Sequence, residues 1–186
     1  MKGFDFEEER IKQEIAKLSA KRVLLQIPQG LKPEGPRLAK IIEKTGALPI
    51  ISADPCYGAC DLATSEAKSL GIDLIVHFGH SKLLKHEQVT TFYVEARATV
   101  PVAEVLEKAV LLLSKYNKIG LATTVQHVHT LDEARTILVR AGKTVVVGDA
   151  GRVTYSGQVI GCDYSNVRSV AHHNSRPLRK QGLLYK

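Results

Sequence analysis

The sequence predicts an α/β fold made of three-layer α/β/α sandwich units with mostly parallel sheets. Short apolar runs alternate along the chain with amphipathic segments, which is the pattern of parallel strands connected by covering helices. Proline and glycine mark the starts and ends of the helical segments, as in "PEGPRLAKIIEKTG", residues 33–46. The same order of elements also occurs twice, which predicts that the units are related to each other.

The first half of the chain contains three predicted helices and four predicted strands. "IKQEIAKLSAK" places Ile11, Ile15 and Leu18 on one helical face. "RVLLQIP" is a continuous apolar run closed by proline, as expected for a strand buried on both faces. The remaining segments are the helix "PEGPRLAKIIEKTG", the strand "ALPIISA", the helix "LATSEAKSLG" and the strands "DLIVHFG" and "TTFYVEA". Crossovers between parallel strands of this kind are right-handed.

The second half continues the alternation. "VAEVLEKAVLLLSKYN" is a long predicted helix, followed by the strand "KIGLATT", the helix "TLDEARTILVRAG" and the strand "KTVVVG". Each helix lies between two strands, so these strands are expected to be parallel as well.

Residues 21–60 and 118–163 form the repeat. Each segment runs from a strand through a polar loop, a glycine-terminated helix and a second strand to a loop with a glycine before a cysteine and an aspartate directly after it. Cys60 and Cys162 are the two equivalent cysteines. Ligands bind outside the carboxyl ends of the strands in open α/β sheets, so both cysteines are expected to line one cleft.

The repeat also predicts the domain organisation. We expect a first α/β unit over residues 1–99 with the Cys60 loop, and an incomplete second unit over residues 100–171 with the Cys162 loop. A divergent basic tail is expected over residues 172–186, because apolar periodicity is weak there.

Composition excludes several classes of protein. The chain has 186 residues, is 44% hydrophobic and 24% charged, and therefore resembles an ordinary globular protein. Its charged N-terminus is not typical of a signal peptide or membrane span, and three cysteines without a secretion signal favour a cytoplasmic, reducing compartment. Much of the net charge of +7 lies in residues 168–186, which contain no acid, and no aromatic residues are interleaved with basic ones. We therefore expect neither membrane insertion nor direct nucleic-acid binding.

"DPCYGACD", residues 54–61, allows several roles for its cysteines. Cys56 and Cys60 have the spacing of a zinc-binding pair, but the second half of such a site would have to be Cys162 with the histidines of the tail. A redox disulfide normally has two residues between its cysteines rather than three. Both cysteines can also be small buried hydrophobic residues. Thiolate ligation of an iron–sulfur cluster suits the repeated pair, because a neighbouring glycine lets the backbone approach the cluster.

Two further polar loops follow predicted strands. "HFGHS" offers His80 and Ser81, and "TTVQHVHT" offers Thr124, Gln126 and His127 at the same predicted cleft. A histidine in such a loop either takes part in chemistry or satisfies a structural hydrogen bond. The sequence alone leaves both interpretations open.

Taken together, five motifs in order resemble the archaeal diphthamide-synthesis enzyme family, the 2-(3-amino-3-carboxypropyl)histidine synthases. The motifs are "RVLLQIPQGL", "DPCYGACD", "LIVHFGHS", "TTVQHVH" and "GQVIGCDYS", and they cover about residues 20 to 170. The resemblance implies a pseudo-threefold α/β protein, usually a homodimer, in which each domain supplies one cysteine to a 4Fe–4S cluster. Cys60 and Cys162 match the first two ligands.

The resemblance implies an enzyme with an unusual use of S-adenosylmethionine. The cluster reduces this substrate, and the resulting 3-amino-3-carboxypropyl radical is transferred to a histidine of translation elongation factor two. An electron donor is implied as a further partner. By their expected position in the cleft, Gln26, His80, Ser81, Gln126 and His127 are the candidate contacts to S-adenosylmethionine.

One departure from the family pattern keeps two alternatives open. The family continues into a third domain with a third cysteine, whereas this sequence has the basic tail in its place, so we expect a chain truncated before that domain. The first alternative is a non-catalytic subunit that binds the elongation factor or a full-length partner. The second is an iron–sulfur enzyme resembling quinolinate synthase, whose three pseudo-repeated domains also carry one cluster cysteine each.

Overall fold

The computed structural model describes residues 3–172 and contains the predicted alternation of strands and helices. The strands are β1 Phe4–Asp5, β2 Arg22–Gln26, β3 Leu48–Ile51, β4 Leu74–Phe78, β5 Thr91–Val94, β6 Arg97–Ala98, β7 Lys118–Leu121 and β8 Thr144–Val147. The α-helices are α1 Glu8–Leu18, α2 Gly35–Glu43, α3 Thr64–Ser69, α4 Ala103–Leu112, α5 Leu131–Arg140 and α6 Ser165–His172. Within these residues no helix combines the length and the apolar composition needed to cross a bilayer.

The chain divides into two compact units. The first contains the described residues up to Pro101 together with Val125–His129, and the second contains Val102–Thr124 and the described residues from Thr130 onward. The segment that returns to the first unit belongs largely to a 3₁₀ helix, Val125–Thr130. Sequence periodicity gives no sign of this return, because it depends on contacts between distant residues.

The first unit is built on a four-stranded parallel sheet in the order β3-β2-β4-β5. Its two central strands carry almost continuous apolar residues, and all five residues of β4 are buried. Such strands need cover on both faces. Val23, Leu25 and Val76 pack with α1 and α2 on one face, whereas Leu24 and Ile75 pack with residues of the α3 region on the other. The first unit is therefore the predicted three-layer α/β/α sandwich.

Two short strands lie outside this sheet. β1 pairs with β6 in an antiparallel ribbon, with Phe4 opposite Ala98. Neither strand was predicted, because two residues are too few to show alternation. The segment "PEGPRLAKIIEKTG" also differs from the prediction in detail, since a 3₁₀ helix, Gln29–Glu34, precedes α2.

The second unit contains the parallel pair β7–β8, with α5 and α6 packed against the strands and α4 packed against α5. Helix α5 buries Ala134 and Leu138. The Lys143 ammonium group donates to the carbonyl oxygens of Leu113 and Tyr116 over 2.9 and 2.8 Å, which connects the start of β8 to the end of α4.

The paired strands of the two units have the same register. Arg22 lies opposite Leu48 and Lys118 lies opposite Thr144, so the partner residue is 26 positions further along the chain in both units. This correspondence agrees with the repeat predicted from the sequence. Of the predicted basic tail over residues 172–186, all but His172 lies outside the described residues; His172 is the last residue of α6.

Candidate functional site

The polar residues of the first unit gather where its parallel strands end. Gln26 is the last residue of β2, His77 lies next to the end of β4, and the loop with Cys56 and Cys60 follows β3. The strands run parallel, so these three positions share one edge of the sheet. This is the edge at which ligands bind in open α/β sheets.

Gln26 fixes the loop that carries Cys60. Its side-chain amide nitrogen donates to the carbonyl oxygen of Asp61 over 2.5 Å, and its amide oxygen accepts a hydrogen bond from the backbone N–H of Ala63 over 3.2 Å. Both contacts lie directly after Cys60 in the chain. Gln26 is buried, with 4% of its surface exposed, so these bonds are protected from competition by water.

The same glutamine determines the tautomer of His77. The Gln26 amide oxygen is an acceptor and lies 2.9 Å from Nδ1 of His77, so Nδ1 must carry the proton. In the neutral ring Nε2 then has a free lone pair. This lone pair faces Cys56 and His80, because Nε2 lies 4.0 Å from Sγ of Cys56 and 3.0 Å from Nδ1 of His80.

Burial determines the protonation states of Cys56, His77 and His80. It lowers the pKa of His77 to about 3, with a smaller contribution from His80, so His77 is neutral at physiological pH. It also lowers the pKa of His80, although a hydrogen bond to the backbone of Phe78 and the charge of Asp61 oppose that effect. Burial raises the pKa of the Cys56 thiol to about 11 despite a hydrogen bond from the backbone of Gly58. The three side chains are therefore uncharged at physiological pH in the absence of a metal.

Cys60 has a different environment from Cys56. Its side chain is exposed, whereas only 5% of the surface of Cys56 is accessible. A turn in which the N–H of Asp61 donates to the carbonyl oxygen of Gly58 over 3.0 Å presents Cys60 outward. A Cβ atom built at Gly58 would lie 3.4 Å from Sγ of Cys60, so the glycine keeps one side of the thiol open.

The Cys162 loop of the second unit has the same features. Cys162 is exposed and lies in a tight turn closed by paired backbone hydrogen bonds between Ile160 and Asp163. A Cβ atom built at Gly161 would meet no atom of residues 3–172 within 4 Å. Hydrogen bonds from Ser165 hold the pKa of the Asp163 carboxyl below its usual value. Both equivalent cysteines therefore stand on glycine-containing turns with accessible sulfur atoms.

The remaining candidate residues, His80, Ser81, Gln126 and His127, differ in burial and in their contacts. His80 is half-buried and follows Gly79, whose φ of 81° turns the chain at the end of β4. Gln126 donates from its side chain to the carbonyl oxygens of Gly79 and Glu95 over 2.6 and 3.3 Å, so it lies at the same edge of the first unit. Ser81 is buried and His127 is half-buried. The structure thus brings Gln26, His80 and Gln126 to one edge, and their contact with S-adenosylmethionine stays a prediction.

Among the three side chains Cys56, His77 and His80, sequence reasoning missed His77 and did not pair Cys56 with either histidine. His77 lies inside a strand that is otherwise apolar, and a histidine buried at that position needs a polar partner. That isolated polar residue, three positions before His80, was the available signal. Cys56 has no equivalent in the second unit, and its neighbour in space, His77, is 21 residues away in the chain, so the sequence repeat does not reveal their contact.

Comparison with known proteins gives a consistent family assignment. The family model for diphthamide synthesis proteins matches residues 27–178. The 2-(3-amino-3-carboxypropyl)histidine synthase of Pyrococcus horikoshii is 38% identical over 177 residues, which cover 94% of this chain and 49% of that protein. Subunit 1 of the synthase from Danio rerio is 31% identical over 164 residues, or 86% of this chain and 42% of that protein.

Solved structures agree with this assignment. The crystal structure of Dph2 from Pyrococcus horikoshii matches with a TM-score of 0.83 and 37% identity, covering 88% of this chain and 49% of that one. A second crystal structure of that protein, with a 4Fe–4S cluster, matches with a TM-score of 0.84 over 89% of this chain and 50% of that one. This chain therefore spans only part of the length of the curated relatives it matches, from 35% to 49% in those with the highest similarity.

Proposed function

The chain belongs to the diphthamide synthesis protein family, and from this premise we propose that it acts in a 2-(3-amino-3-carboxypropyl)histidine synthase. The reaction is transfer of the 3-amino-3-carboxypropyl group of S-adenosylmethionine to a histidine of translation elongation factor two, in the cytoplasm. The observation that carries the proposal is the pair of equivalent cysteine loops, Cys60 and Cys162, which end in the same Cys-Asp sequence and expose both thiols. The cluster in the Pyrococcus horikoshii structure supports it.

The geometry of both loops fits thiolate ligation of a cluster. Cys60 and Cys162 are free, exposed cysteines. Gly58 lies beside the sulfur of Cys60, and Gly161 directly precedes Cys162 in the chain. A 4Fe–4S cluster is bulky and is bound through thiolates, so its ligands need this open approach. When bound, the cluster would supply the electron for radical cleavage of the Cγ–S bond of S-adenosylmethionine. The chain itself would contribute two of the thiolates.

Other residues would position these ligands and the substrate. Gln26 holds the backbone at Asp61 and Ala63, so it limits the motion of the Cys60 loop. His80, Ser81, Gln126 and His127 would contact S-adenosylmethionine, together with Gln26. Most of these residues already lie at the carboxyl edge of the first sheet, where substrates of open α/β proteins bind. A homodimeric assembly and an external electron donor complete the proposal.

Anaerobic reconstitution with iron and sulfide tests the ligand assignment. We expect the wild-type chain to bind iron and sulfide, with the broad absorbance and, after reduction, the electron paramagnetic resonance signal of a 4Fe–4S cluster. Cys60→Ala and Cys162→Ala should each reduce iron uptake strongly. Cys56→Ala is the matched control and should retain it, because Cys56 is buried beside His77. No iron uptake by the wild type, or loss only in the Cys56 variant, would contradict the assignment.

A transfer assay tests the reaction. S-adenosylmethionine labelled in its 3-amino-3-carboxypropyl group is incubated with the reconstituted protein, a reductant and the elongation factor. Label on the factor, lost when the acceptor histidine is replaced, supports the synthase. Cluster binding without transfer would instead favour a subunit that needs a full-length partner. Transfer that appears only after such a partner is added would identify this case.

A further inference from the structure

We propose that Cys56, His77 and His80 form a second metal site in the first unit, a mononuclear site for a zinc-like divalent ion that is separate from the iron–sulfur ligands. Their donor atoms all lie within 4.8 Å of one another. The site is formed by these three side chains and the hydrogen bonds of Gln26, and it does not require the proposed transferase activity.

The distances between the donor atoms match a tetrahedral ion. Zinc lies about 2.0 Å from imidazole nitrogen and about 2.3 Å from thiolate sulfur, so tetrahedral geometry separates two nitrogens by about 3.3 Å and nitrogen from sulfur by about 3.5 Å. In the first unit Nε2 of His77 lies 3.0 Å from Nδ1 of His80 and 4.0 Å from Sγ of Cys56. These two distances differ from the tetrahedral values by about half an ångström or less. The remaining pair, a His80 nitrogen and Sγ of Cys56, lies within 4.8 Å, so it would have to close by no more than about 1.3 Å to complete the site.

The hydrogen bonds around His77 prepare it as a ligand. Metal-bound histidines usually donate their other ring N–H to an oxygen acceptor, which fixes the tautomer and the ring orientation. Gln26 provides this acceptor for Nδ1 of His77, and its own orientation is fixed by Asp61 and Ala63. The Nε2 lone pair is thereby directed at the other two ligands before any metal binds.

The ligand types also select the class of ion. One thiolate and two imidazoles suit zinc and similar borderline ions, rather than calcium or magnesium, which prefer oxygen. On binding, the Cys56 thiol releases its proton to water and forms the metal–sulfur bond, while His80 moves its proton from Nδ1 to Nε2. Three protein ligands leave a fourth position for water or another exchangeable ligand, as in catalytic zinc sites.

Cobalt(II) is a suitable probe because its absorption reports both thiolate ligation and tetrahedral geometry. The full chain, freed of metal and without added iron or sulfide, is titrated with Co²⁺ and then with Zn²⁺. We expect one equivalent of Co²⁺ with a thiolate-to-cobalt charge-transfer band and visible d–d bands, and displacement by Zn²⁺. The charge-transfer band excludes binding by histidines alone.

The decisive variant is Cys60→Ser/Cys162→Ser, whose only thiol is Cys56. It should retain the cobalt spectrum while losing cluster reconstitution, whereas Cys56→Ser should lose the charge-transfer band. His80→Asn should weaken cobalt binding by more than about tenfold, the loss that even removal of an outer hydrogen-bond partner produces. His86→Asn removes an exposed histidine and should bind as the wild type does.

Three results would overturn the proposal: no charge-transfer band in the wild type, loss of the band in the double cysteine variant, or unchanged affinity in His80→Asn. Circular dichroism checks that each variant is folded. If Cys56→Ser fails to fold, the double variant and His80→Asn still decide, since Cys60, Cys162 and His80 are exposed or half-buried. A wild-type chain that binds cobalt through Cys56 but takes up no iron–sulfur cluster would contradict the proposed function and leave this site standing.

Discussion

The two units share strand register but differ in how completely they bury their sheets. In the first unit every residue of β4 and four of the five residues of β2 are buried. In the second unit no residue of β7 or β8 reaches the same burial, and α4 buries none of its residues. Leu111 and Leu112 of α4 expose 77% and 82% of their surface.

The difference in burial comes from how many faces of each sheet are covered, rather than from local sequence preference. In the first unit, α1 and α2 cover one face of the sheet and the α3 region covers the other, so the apolar strands are shielded on both sides. The two-stranded sheet of the second unit offers fewer apolar contacts among the described residues. Because apolar burial is the main stabilising contribution, we expect the free energy of unfolding to be concentrated in the first unit.

Acid should have the largest effect on the first unit through His77. Burial lowers its pKa from 6.5 to about 3, so between these values the unfolded state binds a proton that the folded state does not. The stability from neutral His77 is complete above pH 6.5, falls as pH decreases towards 3 and is lost below it. This contribution to the free energy of unfolding is at most about 5 kcal/mol. Urea unfolding of metal-free protein at several pH values measures it.

His77→Gln provides the control for this pH dependence. The variant cannot be protonated in this range, so the difference in unfolding free energy between wild type and variant should shrink as pH falls from 6.5 to 3. Carboxylates contribute equally to both proteins and cancel in the difference. A difference that stays constant over this range would contradict the neutral, buried state of His77.

A matched pair of leucine truncations tests the difference in burial directly. Leu25→Ala in β2 should lower the unfolding free energy by about 2–5 kcal/mol, because it leaves a cavity at a fully buried position. Leu112→Ala in α4 should change it by less than about 0.5 kcal/mol, because that side chain is largely exposed. Chemical denaturation followed by circular dichroism compares them, and similar losses in both variants would mean that α4 is covered in solution.

The elements of the fold could be predicted from sequence where the signal is local. The run from Leu74 to Phe78 is apolar over a whole strand apart from His77, and α1 repeats Ile11 and Ile15 on one face. The β1–β6 ribbon and the return of Val125–His129 to the first unit depend on contacts between distant residues. They leave no periodicity in the sequence and were missed.

The candidate site was predictable in part for the same reason. Cys60 and Cys162 stand out because the repeat places both in equivalent loops, and His80 follows a recognisable strand. The contact between Cys56 and His77 joins two residues 21 positions apart, and the role of Gln26 in fixing both His77 and the Cys60 loop needs coordinates. A polar residue within a buried strand is the signal to examine in related sequences.

Asp73 offers a smaller test of how the first sheet is held together. Its carboxylate accepts hydrogen bonds from the backbone N–H groups of Lys21 and Arg22 over 2.7 and 2.8 Å, which tie the start of β4 to the start of β2. We expect Asp73→Ala to cost about 1–2 kcal/mol, since the bonds are charge-assisted but exposed. Unfolding by urea at neutral pH measures this cost.

The pH dependence identifies the contribution of the Asp73 charge. The same hydrogen bonds lower the pKa of Asp73 in the folded state, so its stabilising effect is present above the unfolded pKa and disappears as pH falls through the folded value. Asp73→Asn keeps one acceptor oxygen and should lose less stability than Asp73→Ala. Equal losses in the two variants would show that packing, rather than hydrogen bonding, explains the effect.

The two cysteine loops give the smallest expected difference between the units. A methyl group at residue 58 would lie 3.4 Å from Sγ of Cys60, whereas one at residue 161 would meet no atom within 4 Å in the part of the chain that the structure describes. Neither glycine has a positive φ, so alanine is compatible with both backbones. At 3.4 Å a methyl group at residue 58 is in ordinary van der Waals contact with the sulfur, and it would occupy space beside the sulfur that the proposed cluster would approach. We therefore expect Gly58→Ala to weaken iron–sulfur loading by no more than about fivefold, which corresponds to about 1 kcal/mol. Gly161→Ala should load as the wild type does, with iron and sulfide content measured after anaerobic reconstitution. If Gly161→Ala were the more damaging variant, a methyl group at residue 161 would obstruct the proposed cluster more than one at residue 58, and the two loops would not be equivalent in how they accommodate it.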